Sequence, residues 1–284
     1  MTAPERSIVF HLGFQKTGTT TIQALLERNR HRFPEVDIRA YGQATRDVRR
    51  AGRTWCATPT AANEARLRAA LADAVESFVA GGRRHCLVSD ENVLGRVPFG
   101  PTGDVLGWAR RILPMIEAAT QGIAARFVFY TRDPEAWLRS LYNQSVKRAR
   151  VTARYEDWRR AAPFTVEWGR WRAALQAVTD VPVELVSMEG ELERHGWLGA
   201  TLLERVGTRP ETLANLAIPQ PRNPSLSAGA LHLMRAMNRL PLPDRTVIRI
   251  SEWVERVDAM ARRRGPGSPS ADTAQAADAA NPAA

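Results

Sequence analysis

Apolar positions along this chain follow two periods in turn. Residues 7–12, Ser-Ile-Val-Phe-His-Leu, form a short apolar run that predicts a buried strand, which breaks at the glycine-bounded turn 13–18. A helix is predicted over 19–32, because Ile22, Leu25 and Leu26 recur at the spacing of one helical face. Residues 35–60 show no clear period and predict a loop-rich excursion. Good helix formers predict a helix over Ala61–Ala80, stopped by Gly81-Gly82, and His85–Ser89 predicts a second strand. A helix over 104–121 precedes the clearest strand signal, 126–131, which is rich in aromatic and β-branched residues. That strand ends at Arg132-Asp133-Pro134, with proline placed for the first turn of a helix reaching about Lys147. Helical patterns follow over Tyr155–Ala161 and 166–178, then a fourth strand over Val183–Ser187 and helices over 197–206, 227–239 and 243–263.

Strands separated by helices predict an α/β class: a three-layer, P-loop-like fold with a central parallel sheet flanked by helices, and additional C-terminal helices. In such sheets ligands bind beyond the carboxyl ends of the strands. The expected organisation is one domain over 1–264. Residues 265–284 are an Ala/Pro-rich stretch without large apolar side chains, so a disordered tail is expected.

Composition changes this picture little. With 284 residues and 44% hydrophobic content the chain can bury a substantial core. No apolar run approaches the roughly 18–20 residues needed to cross a bilayer. The polar start at residues 1–7 carries no signal-peptide pattern, so a cytoplasmic location is expected. Cys56 and Cys86 are the only cysteines, with no spacing that suggests zinc, and Cys86 reads as a buried thiol. The net charge of +10 favours a polyanionic partner, although arginine is spread throughout the chain.

The chemistry concentrates in the first turn. Gly13-Phe14-Gln15-Lys16-Thr17-Gly18-Thr19-Thr20 has two glycines at Walker A spacing, but the position after the second glycine is Thr19 rather than lysine. Lys16 stands inside the loop instead. Glycines let backbone N–H groups wrap an anion, the following helix points its positive end at it, and Thr19, Thr20 and Thr21 add hydroxyl donors. Residues 13–21 with Gln23 resemble the 5′-phosphosulfate-binding loop of the PAPS-dependent sulfotransferases (PAPS is 3′-phosphoadenosine 5′-phosphosulfate). The resemblance implies that Gln15, Lys16, Thr17, Gly18, Thr19 and Thr20 bind the donor. It further implies that Lys16 stabilises the leaving phosphate, with PAP as product and no metal.

The family's second signature is an arginine at a strand end and a serine on the next helix, which together bind the 3′-phosphate. Arg132 and Ser140, in Thr-Arg-Asp-Pro-Glu-Ala-Trp-Leu-Arg-Ser, are similar to it. A planar guanidinium fork suits a phosphate, and a serine hydroxyl adds a donor. The late segment Arg222-Asn223-Pro224-Ser225-Leu226-Ser227 resembles a loop that closes over the donor in that family, which implies a role for Arg222, Asn223 and Ser225. A helix N-cap at Ser227 accounts for part of it equally well.

Sulfuryl transfer needs a base for the acceptor's proton. By resemblance to carboxylate-using members Glu91 is the first choice, with Asp90 and His11 as alternatives. The acidic pair 90–91 serves equally to cap a helix or to orient Arg132. The acceptor is open: a small molecule or a glycan, contacted by residues 35–60 or by Trp158, Trp168 and Trp171, although tryptophans at helical spacing also describe core packing. No specific nucleic acid is expected as partner. Two other readings stand beside this one. A P-loop kinase or phosphotransferase lacks here its Walker lysine and a Walker B aspartate, and magnesium dependence would separate it. A non-catalytic polyanion-binding module rests on charge alone.

Overall fold

The computed structural model describes residues 6–42, 44–94, 106–162, 165–219 and 225–264. Five strands, β1 (Ser7–His11), β2 (Val36–Ala40), β3 (His85–Ser89), β4 (Ala124–Thr131) and β5 (Val183–Ser187), pair in parallel in the order β2-β3-β1-β4-β5. The register sets His11 beside Ser89 on one side and Val128 on the other. Twelve helices are described: α1 (Thr19–Asn29), α2 (Arg46–Ala57), α3 (Ala61–Ala80), α4 (Gly107–Ala119), α5 (Pro134–Arg148), α6 (Tyr155–Ala161), α7 (Trp168–Gln176), α8 (Met188–His195), α9 (Ala200–Arg205), α10 (Pro210–Ala214), α11 (Ala228–Asn238) and α12 (Asp244–Arg264).

A parallel sheet covered on both faces needs apolar side chains at successive strand positions. One face, carrying Val9, Ile38, Leu87, Val128 and Val186, packs on Ile22, Leu25 and Leu26 of α1 and on Leu202 and Leu203 of α9. The other face, with Ile8, Phe10, Cys86 and Val88, meets Val48 of α2, Leu71 and Phe78 of α3 and Ile116 of α4. The fold is therefore three-layer α/β. Leu25 and Leu26 are fully enclosed, so truncating either to alanine should cost about 2–5 kcal/mol.

The excursion expected over 35–60 is instead regular: β2 and α2 occupy most of it. In β2 the side chains alternate between Val36, Ile38 and Ala40 facing the core and the Asp37–Arg39 pair, 2.8 Å apart, on the other side. Three apolar positions, one of them alanine, are a weak period-2 signal. In α2 the buried residues Val48, Arg49, Gly52 and Trp55 include an arginine and a glycine, which dilute the apolar face. The short polar helices α8 and α10 also lie where no helix is predicted. Ser187 caps α8 by accepting from Gly190 N, and Gly196 ends it at φ 74°. The helix expected over 19–32 closes at Asn29 into a 3₁₀ turn, Arg30–Arg32.

The chain forms two compact units: Met1–Tyr142 with Tyr155–Asn223, and Asn143–Arg154 with Pro224–Ala284. The first contains the sheet. In the second, Asn238 on α11 donates to the carbonyls of Val146 and Val151, and Arg148 pairs with Glu255 on α12 at 2.8 Å. Ser227 caps α11 by accepting from Ala230 N, the role its sequence position allows. Residues 265–284 lie outside the described residues, and no described helix is long and apolar enough to cross a membrane.

Candidate functional site

The connections set the place. β1 leads through α1 to β2 at one edge of the sheet, whereas β4 leads to β5 at the other. The adjacent strands β1 and β4 therefore flank a switch point, where a crevice opens beyond their carboxyl ends. The first loop leaves β1 on one side of it, and Arg132 leaves β4 on the other.

The loop's shape follows from two left-handed residues, Lys16 at φ 70° and Gly18 at φ 86°. Gly18 is required twice over, since a Cβ there would lie 2.6 Å from Leu198 Cδ1 as well as straining the backbone. It is also the N-cap of α1 and has no side chain to cap the helix; the Thr21 N–H donates to Gly18 O at 2.9 Å, which leaves the Thr19 and Thr20 N–H groups with capacity for an anion. Thr17 is fully buried and its hydroxyl donates to the Phe14 carbonyl, tying the loop to itself. Thr19 is buried with its Oγ1 lacking a hydrogen-bond partner among the described residues, and Thr20 is exposed. Gln15 and Lys16 are half-buried.

On the other side of the crevice Asp133 caps α5, accepting from Ala136 N at 2.8 Å, and Glu189 accepts from Asp133 N at 3.0 Å. The backbone around Arg132 is thus held from both directions. The guanidinium of Arg132 is half-buried and has no ion pair or hydrogen bond among the described residues. Ser140 lies two helical turns on in α5, 6% exposed.

The two carboxylates after β3 differ sharply. Asp90 is fully buried, and both its oxygens are occupied. Oδ2 accepts from Thr45 Oγ1 at 2.6 Å and lies 3.2 Å from Arg49 Nη1, while Oδ1 accepts from Asn92 N at 3.0 Å. It caps the 3₁₀ turn Glu91–Leu94 and pairs with Arg49, not Arg132. Glu91 accepts from Gln23 Nε2 at 3.2 Å, and Gln23 also donates to Ser89 O. Burial raises the Glu91 carboxyl above the ordinary carboxylate range and the Asp90 charge adds to this, while a bond from its own backbone N–H, the Gln23 bond and Arg49 offset part of it.

His11 is fully buried against Tyr130 and shares a 2.8 Å bond between Nδ1 and Ser89 Oγ, with Nε2 unpartnered among the described residues. Burial pushes its imidazole down to about 3, so at neutral pH it is uncharged and a weak proton acceptor. Tyr130 in turn donates to the buried Glu191, which also accepts from Gly199 N and Thr201 N and so fixes the start of α9.

Sequence reasoning missed three elements of this arrangement. Gln23 appeared only within the loop's resemblance, yet it holds Glu91. Thr45 and Arg49 hold Asp90 from a segment with no readable period. Trp137 donates Nε1 to Gln15 O, and Trp168 donates Nε1 to Arg132 O, both at 2.8 Å. Trp158 and Trp171 are core residues. Arg222 and Asn223 lie outside the described residues, and Ser225 belongs to the second unit, where its carbonyl accepts from Arg262. No group of three or more His, Cys, Asp or Glu among the described residues is arranged to hold a metal ion.

Comparison of the chain with models of known protein families, with curated proteins and with solved structures finds no match.

Proposed function

We propose that this chain is a sulfotransferase that moves a sulfuryl group from PAPS to a hydroxyl or amine of an acceptor, a small molecule or glycan, and that it works in the cytoplasm. The observation that carries this reading is the pairing across the switch point. A left-handed loop with an internal lysine and an uncapped helix start lies on one side, and a half-buried arginine whose guanidinium has no partner among the described residues lies on the other. A nucleotide with phosphate groups at both its 5′ and 3′ positions asks for two separate anion sites. The Thr19 hydroxyl, buried and without a hydrogen-bond partner among the described residues, fits a group bound against the loop.

When bound, PAPS supplies an activated sulfur whose bond to the bridging phosphate oxygen is the one broken. The backbone N–H groups at Gly18–Thr20 and the Thr19 hydroxyl hold the 5′-phosphate, and Lys16 neutralises charge on the leaving oxygen. Arg132 and Ser140 hold the 3′-phosphate. Glu91 takes the proton from the acceptor as its oxygen or nitrogen bonds to sulfur. A carboxylate raised by burial is better matched to that step than an ordinary one. Asp90, with both oxygens engaged, and His11, with its depressed basicity, are less suited.

The test is thermal stabilisation by PAP against ATP with magnesium. A saturating ligand at about 100 times its Kd adds about 2.7 kcal/mol to stability. PAP should raise the melting temperature, and the shift should vanish in Lys16→Ala. Stabilisation by ATP with magnesium and none by PAP would establish a phosphotransferase instead.

A further inference from the structure

The two segments that carry the anion-binding groups are far apart in sequence, yet their backbones are held by two indoles that touch. Trp137, fully buried near the start of α5, donates Nε1 to the Gln15 carbonyl of the first loop at 2.8 Å. Trp168, at the start of α7, donates Nε1 to the Arg132 carbonyl at 2.8 Å. Their ring centroids are 5.2 Å apart, with planes inclined at 74°. Phe14 lies 5.1 Å from Trp168 and 5.3 Å from Trp171, and Trp171 lies 5.7 Å from Trp137, so one aromatic cluster fills the space between the two motifs. Edge-to-face packing of this kind tolerates little sliding, because each ring's position is set by its neighbours.

Orientation matters as much as distance. The carbonyl and N–H of one peptide unit point in opposite directions. A Gln15 carbonyl bound to Trp137 turns the Lys16 N–H to the opposite side of the loop and keeps a negative dipole end away from a phosphate. At Arg132, Trp168 holds the carbonyl while Glu189 holds the next N–H, so the peptide after the arginine cannot rotate.

We infer that Trp137 and Trp168 are positioning residues that fix the separation between the first loop and Arg132, and so confer preference for nucleotides phosphorylated at both ends over those with a single phosphate. This rests on the donor site proposed above. A ligand that touches only the loop is indifferent to the separation, whereas one that spans both motifs gains the second contact only if the spacing is right.

The experiment compares PAP with 5′-AMP by calorimetric titration in the full chain and in Trp168→Phe and Trp137→Phe, which keep an aromatic ring and remove the N–H. Losing one neutral hydrogen bond is worth about 1 kcal/mol, or roughly fivefold. Trp168→Phe should weaken PAP about five- to tenfold and leave 5′-AMP unchanged, lowering the ratio of the two affinities. In Trp137→Phe both ligands should weaken, because the loop itself is loosened. A wild-type chain that binds neither would sink the donor site. A wild-type chain that prefers PAP, with that preference intact in a folded Trp168→Phe, would overturn the positioning role alone. Should the variants fail to fold, ¹⁹F spectra of the 5-fluorotryptophan-labelled wild-type protein decide. PAP should shift the resonances of the buried cluster more than 5′-AMP does, and equal shifts would overturn the inference.

Discussion

The β2 edge of the sheet and the crevice at its centre are both rich in arginine, and they use it in opposite ways. At the edge Arg30, Arg39, Arg49 and Arg83 all have partners within the protein. Arg30 donates to the Ile38 carbonyl and pairs with Glu27, and Arg83 donates to the Val36 carbonyl. Arg39 bonds Asp37 and the Ala74 carbonyl, while Arg49 lies over the Tyr41 ring at 4.0 Å and against Asp90. Outward carbonyls of β2 are thereby covered, which blunts an edge that would otherwise accept another strand. The groove there, about 530 Å³, is lined by Arg30 and Arg39 but also by Glu27, Asp37, Asp47 and Asp73, so its charges largely answer one another. At the crevice the Arg132 guanidinium has no such partner among the described residues, and the two carboxylates after β3 split in a similar way: Asp90 is ion-paired with Arg49, whereas Glu91 is held by hydrogen bonds, one of them from Gln23. Positive charge at this edge is therefore largely structural, and the proposed function uses the groups left without such partners.

That contrast breaks if unpaired and paired groups respond alike to substitution. The largest expected effect is on Glu91. Glu91→Gln should lower sulfuryl transfer from labelled PAPS by about 10²–10⁴-fold, the usual range for loss of a general base. It should at the same time raise the melting temperature at neutral pH. A carboxyl whose folded value is raised favours folding only while protonated, and that contribution is lost as pH rises through the raised value. Removing the charge recovers it. A variant that is both active and no more stable would remove Glu91 from the base role.

Arg49→Ala should come next. It leaves the fully buried Asp90 without its counter-ion and should cost about 3 kcal/mol of stability by denaturant unfolding, with PAP affinity of the folded protein little changed. A negligible stability loss would show that Thr45 and Asn92 suffice for Asp90. Arg132→Ala should do the reverse: a charge-assisted bond of about 1.5–3 kcal/mol is lost from PAP binding, roughly 10- to 100-fold by titration, while stability changes by less than about 1 kcal/mol. Should Arg132→Ala instead unfold the protein, the arginine is structural and the contrast fails.

The smallest effect sharpens the picture. The Gln23 bond lowers the Glu91 carboxyl, so Gln23→Leu should move the acidic limb of the rate–pH profile to higher pH, by less than about one unit for one neutral bond. An unmoved limb would show that Gln23 does not tune Glu91.

How far the sequence led can be judged element by element. Ala61–Ala80, His85–Ser89, Tyr155–Ala161 and Val183–Ser187 are found with the predicted bounds, because each has a dense period and its own stop signal at or near its ends. Gly18 was legible for the same reason, since two glycines around a lysine before a helix already imply a tight turn. β2 and α2 were not legible, because their apolar faces are interrupted by residues that become core-compatible only through partners from elsewhere. Arg49 is buried at no prohibitive cost only because Asp90 faces it from 41 residues away. The different fates of Asp90 and Glu91, adjacent and chemically alike, were likewise invisible.

Local order therefore settles in the chain itself: strand and helix periods, the glycine loop and the proline that opens α5 are set by dihedral preference and periodicity, which neighbouring residues determine. Tertiary structure decided which charges are answered. Pairing, burial and the raised Glu91 carboxyl depend on groups brought together across the sheet, and so do the two indoles that tie the first loop to Arg132. Electrostatic energies in a low-dielectric interior are fixed by distance in space, and distance in sequence carries almost no information about them.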